Sequence, residues 1–316
     1  MEGATSEQSQ KAVTVDPTSN QRGLLHELVT RRVRLPECHR VCSSTKLSFR
    51  LSGTSETETM GALAEGGGGQ MVIMHAMASR KLTLCLLGGW SLVADRAQGV
   101  NGIGLAGRRL LALLALKGPT GRTSARDALW PMAGPVPGDH RLRNAVWHLG
   151  PERSGVFPDG LVEVAAGGLA LRPQIAVDVT AMTQAAAAVQ RGEADLDARI
   201  FGADLLPTWE DEWLILERER VRQVRLHALE TLSQTLLDDG RHAAALDCAI
   251  TALHADPLRE SAHRAVIRVH LAEGNTGTAL QAFEQCRRTL HTELGLPPTR
   301  ALLDLMAELT EPGPDR

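Results

Sequence analysis

Apolar residues recur at Leu142, Ala145, Val146 and Leu149, the i, i+3, i+4, i+7 spacing of one helix face, so "DHRLRNAVWHL" predicts a helix over 139–149. Asp139 stands where an N-cap belongs, and Gly150 and Pro151 close the run. Upstream the pattern shortens: "KLTLCLLGGWSLV" and "IGLAG" are bounded by glycines and read as strands. The nearly continuous apolar run "GRRLLALLAL" (107–116) predicts a helix buried on most sides, stopped by Gly118 and Pro119. "TSARDALW" predicts a shorter helix with Ser124 and Asp127 in an N-cap arrangement and Pro131 as its stop. "PMAGPVPG" reads as a loop, and "LVEVAAGGLALR" (161–172) as two strands about a Gly167–Gly168 turn.

The C-terminal part is periodic on a longer scale. Gly240 and Gly274 stand 34 residues apart, and Ala245 and Leu246 align with Ala279 and Leu280 at that shift, the period of tetratricopeptide (TPR) helix pairs. Helices starting near Asp211, Arg241, Leu258 and Thr276 would stack, because no single pair can bury its own apolar face. The longest segment, "TWEDEWLILERERVRQVRLHAL", alternates charges in the manner of a solvated face, with Trp209 and Trp213 as core anchors one turn apart.

Residues 1–80 lack such periodicity. They are rich in Ser, Thr, Gly and Glu and end near "GGGG", a composition that predicts a disordered leader. "LLHELVTRRVRL" is its one amphipathic piece, and Met71, Met74 and Met77 are alternative starts just before the ordered part. Residues 1–76 are therefore expected to be dispensable for stability and binding.

Charge sharpens the division. The chain has 34 Lys+Arg against 37 Asp+Glu, net -3, but residues 81–180 carry 11 basic and 7 acidic side chains and residues 181–316 carry 14 and 22. A basic middle is joined to an acidic end, which makes direct nucleic-acid contact by the helical part unlike its charge. Five cysteines form no CxxC pair, and "CHRVC" lacks a second ligand pair, so neither a disulfide framework nor a metal site is expected. No run approaches the roughly 20 apolar residues of a membrane span, and a cytoplasmic protein is expected.

The polar face of 139–149 carries the chemistry. His140, Arg141, Arg143, Asn144, Trp147 and His148 lie opposite the apolar stripe: fork-shaped cations, an amide able to pair with adenine, and no carboxylate beyond Asp139. The plain alternative is a solvated helix face. "GIGLAG" (102–107) matches a dinucleotide-binding turn, but polar "VADRAQGVN" precedes it where a buried strand is required, and Asp127, at the distance of the ribose-binding acid, falls in a helix. With no HExxH, GxSxG or Walker loop either, no enzyme and no cofactor is expected.

Strands, three helices and a hairpin make the winged helix-turn-helix plan, in which the third helix enters the major groove and the hairpin touches the backbone. The succession "LTLCLLGGWSLV", "RRLLALLAL", "DALWP", "LRNAVWHL" and the hairpin resembles the OmpR-type DNA-binding domain of SARP-class (antibiotic regulatory protein) transcriptional activators. "VDV" at 177–179, "DLLPTWEDEWLILERERVR" at 204–222, "ADPLRESAHRAVIRVHLAEGN" at 255–275 and "ELGLPPT" at 293–299 resemble the bacterial transcriptional activator domain of the same family. The family's third helix usually continues with further arginines, whereas here "HLGPERSG" breaks early.

The expected architecture is multidomain: a leader (1–80), an α/β winged helix-turn-helix (81–175) and all-α TPR-like repeats (176–312). Arg141, Arg143, Asn144 and His148 are the expected groove-facing residues, with Arg108, Arg126 and Arg153 as weaker phosphate-contact candidates near helix N-termini and turns. The resemblance implies double-stranded promoter DNA, RNA polymerase and a second copy of the chain on DNA as partners, with action at the nucleoid. Residues 81–180 alone are expected to recognise the site with reduced affinity and to fail in activation. The competing reading is a TPR-like interaction adaptor whose winged-helix half no longer binds DNA.

Overall fold

The computed structural model describes residues 82–94, 98–99, 102–151, 159–165 and 168–307. The leader with its "LLHELVTRRVRL" and "CHRVC" pieces, the alternative starts and Arg153 lie outside the described residues.

The chain opens with β1 (Leu82–Cys85), β2 (Ser91–Ala94) and the short β3 (Gln98–Gly99), each antiparallel to the one before. Among the described residues three helices follow: α1 (Leu105–Lys117), α2 (Arg122–Leu129) and α3 (Pro135–His148). A hairpin, β4 (Val162–Ala165) and β5 (Gly168–Leu171), is succeeded by β6 (Ile175–Val177), which returns to lie parallel to β1. The sheet order is β3-β2-β1-β6, with the hairpin as a separate two-stranded sheet.

Several local expectations are corrected. "IGLAG" is no strand: α1 already begins at Leu105, with Gly104 in extended conformation as its N-cap. Gly107 is buried, and a Cβ there would stand 3.1 Å from Ile103 and 3.3 Å from the Leu149 side chain, so this glycine serves helix packing. α2 starts at Arg122 with Gly121 as N-cap, which puts Ser124 inside the first turn with no side-chain cap bond. α3 starts four residues before Asp139. Pro135 and Pro137 fit its first turn, where the amide hydrogens they lack have no intrahelical acceptor.

The hairpin is tied to the helices through Thr120, whose N–H donates to the Leu169 carbonyl (2.8 Å) while its own carbonyl accepts from Leu169 (2.9 Å). Gly168 makes this approach possible. Its φ is +142°, and a Cβ would fall 2.4 Å from the Thr120 oxygen. Gly168→Ala should therefore cost on the order of 1–3 kcal/mol and loosen the hairpin, read as a lowered thermal midpoint and faster amide exchange at Leu169.

From β6 the chain passes directly into α4 (Asp178–Gln190), then a 3-10 turn (Ala198–Phe201), α5 (Leu214–Asp238), α6 (His242–Ala255), α7 (Glu260–Ala272), α8 (Thr276–Leu294) and α9 (Arg300–Ala307). α5 through α8 stack each on the next, and the 34-residue repeat is structural: Ala245 and Ala279 are both fully buried, and Gly240 and Gly274 both end a helix at positive φ. The tryptophans precede α5 and do not share its face. Trp209 and Trp213 are half-buried and both pack against the main apolar cluster, as core anchors were expected to, and the Trp213 indole donates to Asp211 (3.2 Å).

One apolar cluster runs without interruption from Leu82, Leu84 and Leu86 through α1 and Leu149 to Phe201, Leu205, Leu206, α5 and α6. At its middle, Leu87 bridges Leu205: Gly88 N–H donates to the Asp204 carbonyl (2.7 Å) and Leu206 N–H to the Leu86 carbonyl (2.9 Å). The Asp178 carboxylate accepts from the amides of Leu86 (2.8 Å) and Leu87 (2.9 Å). Burial pushes its pKa up, against the opposing pull of those amides. A smaller cluster closes the far end around Ile267, Cys286, Leu290 and Leu302.

Cys248 and Cys286 are buried, and burial pushes both thiols from 9.0 up to about 11. Native chain at pH 8 should leave both unalkylated by iodoacetamide, whereas unfolded chain reacts at both, as mapped by peptide mass spectrometry. Because the fold favours the neutral thiols, stability is full below pH 9 and falls as pH rises toward 11.

Candidate nucleic-acid interface

α3 is buried on one face and exposed on the other. Gly138, Leu142, Ala145 and Leu149 are buried, whereas His140, Arg141, Arg143, Asn144, Trp147 and His148 are exposed. Gly138 lets α2 approach, since a Cβ there would meet the Arg126 side chain at 2.8 Å. Among the described residues, Arg141, Arg143 and Asn144 make no side-chain hydrogen bond or ion pair, so their donors point to solvent. Trp147 is 52% exposed, and its ring meets the His148 ring edge-on at 4.8 Å.

The other described arginine candidates are engaged. Arg108 Nε donates to the Ile103 carbonyl (2.8 Å), and its guanidinium lies 4.8 Å from the centre of the Trp90 ring. Arg126 pairs with Asp127 (2.8 Å) and Asp139 (3.2 Å), and its hydrogen bond to the Asp127 carboxylate leads in raising its pKa. This pairing has a consequence for α3: Asp139, the one carboxylate at that end of the exposed face, is turned toward a cation of α2. The remaining charge on the face is basic. On the hairpin, Glu163 and Val164 are exposed, and Arg172 donates to the Asp159 carbonyl (3.0 Å).

Sequence reasoning missed the polar groups around the seam, the junction where Leu86–Gly88 pair with Asp204–Leu206. Arg225 is 2% exposed, with Nε donating to the Phe201 carbonyl and Nη1 to Asp204, both at 2.7 Å. Arg218 caps the carbonyls of Leu205 (3.1 Å), Leu206 and Trp209, and Arg109 pairs with Asp211 across the seam. Of these, Arg218 and Arg225 lie in the segment whose alternating charges read as a solvated face. A signal did exist for one of them: Arg225 sits four residues after Val221 and four before Leu229, squarely on the buried stripe of α5.

No group of three or more His, Cys, Asp or Glu among the described residues is arranged to hold a metal ion. No helix among them is long and apolar enough to cross a membrane. The exposed face offers donors and cations on one side of a helix, a surface suited to an anionic partner.

Residues 169–310 match the bacterial transcriptional activator domain. The regulatory protein DnrI of Streptomyces peucetius is 30% identical over 236 residues, covering 66% of this chain and 86% of that protein. The regulatory protein AfsR of Streptomyces coelicolor is 30% identical over 226 residues, again 66% of this chain but only 22% of AfsR, so the chain spans about a fifth of that relative's length. In fold, the chain is similar to Mycobacterium tuberculosis EmbR, solved in complex with a low-affinity phosphopeptide: the TM-score is 0.59 at 20% identity, over 73% of this chain and 65% of that one.

Proposed function

The chain belongs to the SARP class of transcriptional activators, and on that premise we propose that it binds promoter DNA sequence-specifically and recruits the transcription machinery through its helical half. In this reading α1 to α3 and the β4–β5 hairpin act as a winged helix-turn-helix, with α3 in the major groove and the hairpin against the backbone. The observation that carries it is the exposed face of α3, basic and amide-bearing, fixed from behind by Leu142, Ala145 and Leu149. The Thr120–Leu169 bridge supports it by setting the hairpin beside the turn between α1 and α2.

The acidic helical half is unsuited to DNA and offers stacked-helix surfaces for RNA polymerase and for a second copy of the chain, the pair occupying adjacent half-sites at the nucleoid.

The test is selection of bound fragments from genomic DNA by the full chain, followed by mobility shifts across a salt series. Selective binding is expected, with log K falling against log salt by about 0.9 for each phosphate neutralised. Selected sites should then support added transcription by purified polymerase when the full chain is present. Absence of any selected sequence would move the chain to the adaptor reading, which the early end of α3 at His148 favours.

A further inference from the structure

Charge and pairing set one groove of the helical half apart from its acidic surroundings. The repeat lays α5 and α7 side by side, with α6 packed against both, and a cavity of about 300 Å³ opens between them, lined in part by Thr231, Gln234 and Leu237 of α5 and by Arg264, Ala265 and Arg268 of α7. Glu230, on the α5 wall, is already occupied: Arg259 holds both its oxygens (2.6 and 3.0 Å), and Ser261 donates to one of them (2.6 Å). Of the positions one turn before or after the two groove arginines, only 260 is acidic, and the Glu260 carboxylate accepts from the Thr299 amide (2.9 Å) and hydroxyl just ahead of α9. Among the described residues Arg264 therefore has no side-chain hydrogen bond or ion pair, and Arg268 has only a long bond to the Gln234 amide oxygen (3.3 Å). Elsewhere in this half Arg222, Arg287 and Arg300 all meet carboxylates. Where 22 acidic side chains stand against 14 basic ones, two neighbouring guanidiniums without a carboxylate make a locally cationic groove.

We propose that this groove docks an extended acidic peptide of a partner protein, taking two of its carboxylate side chains at alternate positions. Spacing selects that form of ligand. Arg264 and Arg268 line the same groove one turn apart, about 6 Å along the axis of α7. In an extended chain, alternate residues repeat at about 6.6 Å and project to one side, whereas adjacent residues project to opposite sides. Each guanidinium is a planar fork that matches a carboxylate with two parallel hydrogen bonds, so one fork per acidic side chain is satisfied without bending the peptide. On the facing wall Thr231 and Gln234 bring a hydroxyl and an amide within reach of a peptide backbone, and Leu237 and Ala265 add apolar surface beneath it. Stacked helical repeats present such grooves to bound segments. The inference does not depend on α3 entering DNA.

The experiment titrates the full chain into a set of short fluorescent peptides, read by anisotropy, whose two acidic residues are adjacent or separated by one, two or three others in an otherwise neutral sequence. Tightest binding is expected at a separation of one residue, weakening as salt is added. Arg264→Gln and Arg268→Gln should each lose about tenfold, the effect of one hydrogen bond to a charged group, and Arg264→Lys should lose less because it keeps the charge without the fork. Thermal midpoints of these variants should match that of the unsubstituted chain, since neither arginine holds a carboxylate and Arg268 is exposed. Equal affinity at all separations, equal affinity for the peptide with asparagine and glutamine in place of the acids, or undiminished binding by the double variant overturns the proposal. So does failure of the whole set to bind. Displacement of the peptide by inorganic phosphate at equal concentration would make the groove a site for small anions and overturns the peptide assignment as well.

Discussion

Arg225→Ala is expected to destabilise the chain by about 3–5 kcal/mol, more than any other single change at a polar residue. Two terms add. Removing a long, fully enclosed side chain leaves a cavity in the main cluster, and the Phe201 carbonyl loses its donor inside the protein. Asp204 contributes less, being half-exposed and able to turn to water. Arg225→Met should recover part of the loss by refilling the space, and urea unfolding of the three chains measures the ranking. A cost below about 1 kcal/mol for Arg225→Ala would mean that its bonds to Phe201 and Asp204 are not what fixes the 201–206 segment on α5.

The same seam bears on how separable the DNA-binding part is. A fragment of residues 81–180 keeps β6 but ends inside the first turn of α4, losing the rest of the helix that packs on β1 and β6. It also loses Leu205, Leu206 and the Asp204 and Leu206 backbone groups that pair with Leu86 and Gly88. The expectation of autonomous site recognition therefore becomes one of a loosened fragment, whose circular dichroism melt should be broad and early. Transcription tests of the helical half are better made with substitutions in the full chain.

What was legible in the sequence was what is local. The helix starts expected near Arg241, Leu258 and Thr276 lie within two residues of α6, α7 and α8, because each helix follows a turn and carries its own apolar stripe. The faces of α3 were readable for the same reason. α4 escaped notice because "AAAAV" offers little contrast between its sides, and β6 because three residues carry no period. The start of α3 was hidden by prolines that usually mark loops but are harmless in a first turn. Long-range pairing left no periodic trace at all. Asp178 meets amides more than 90 residues away, and only the fold shows that a charged residue beside a valine pair serves as a strand tie. Arg108 and Arg126 were candidates by position near helix starts, yet Trp90, Ile103, Asp127 and Asp139 already engage them, so any phosphate contact must compete with bonds in place.

Replacing both Arg141 and Arg143 with alanine should weaken binding of the selected site by roughly 2–5 kcal/mol, with the fold untouched. Both side chains are exposed and without described partners, so neither leaves a buried group unpaired when removed. They stand about 160° apart around the helix axis and cannot share one base, which makes their losses nearly additive. The manner of each loss assigns its role. An arginine reading a guanine costs about 1–3 kcal/mol and relaxes preference at one position, whereas one holding a phosphate weakens all sequences alike and flattens the salt slope by about one. Arg143 is expected to relax one position, and Arg141, at the opposite edge of the face, to flatten the slope. Binding of the double variant at full strength, with its melting temperature preserved, would take α3 out of the groove and leave the DNA contacts to be sought on other elements.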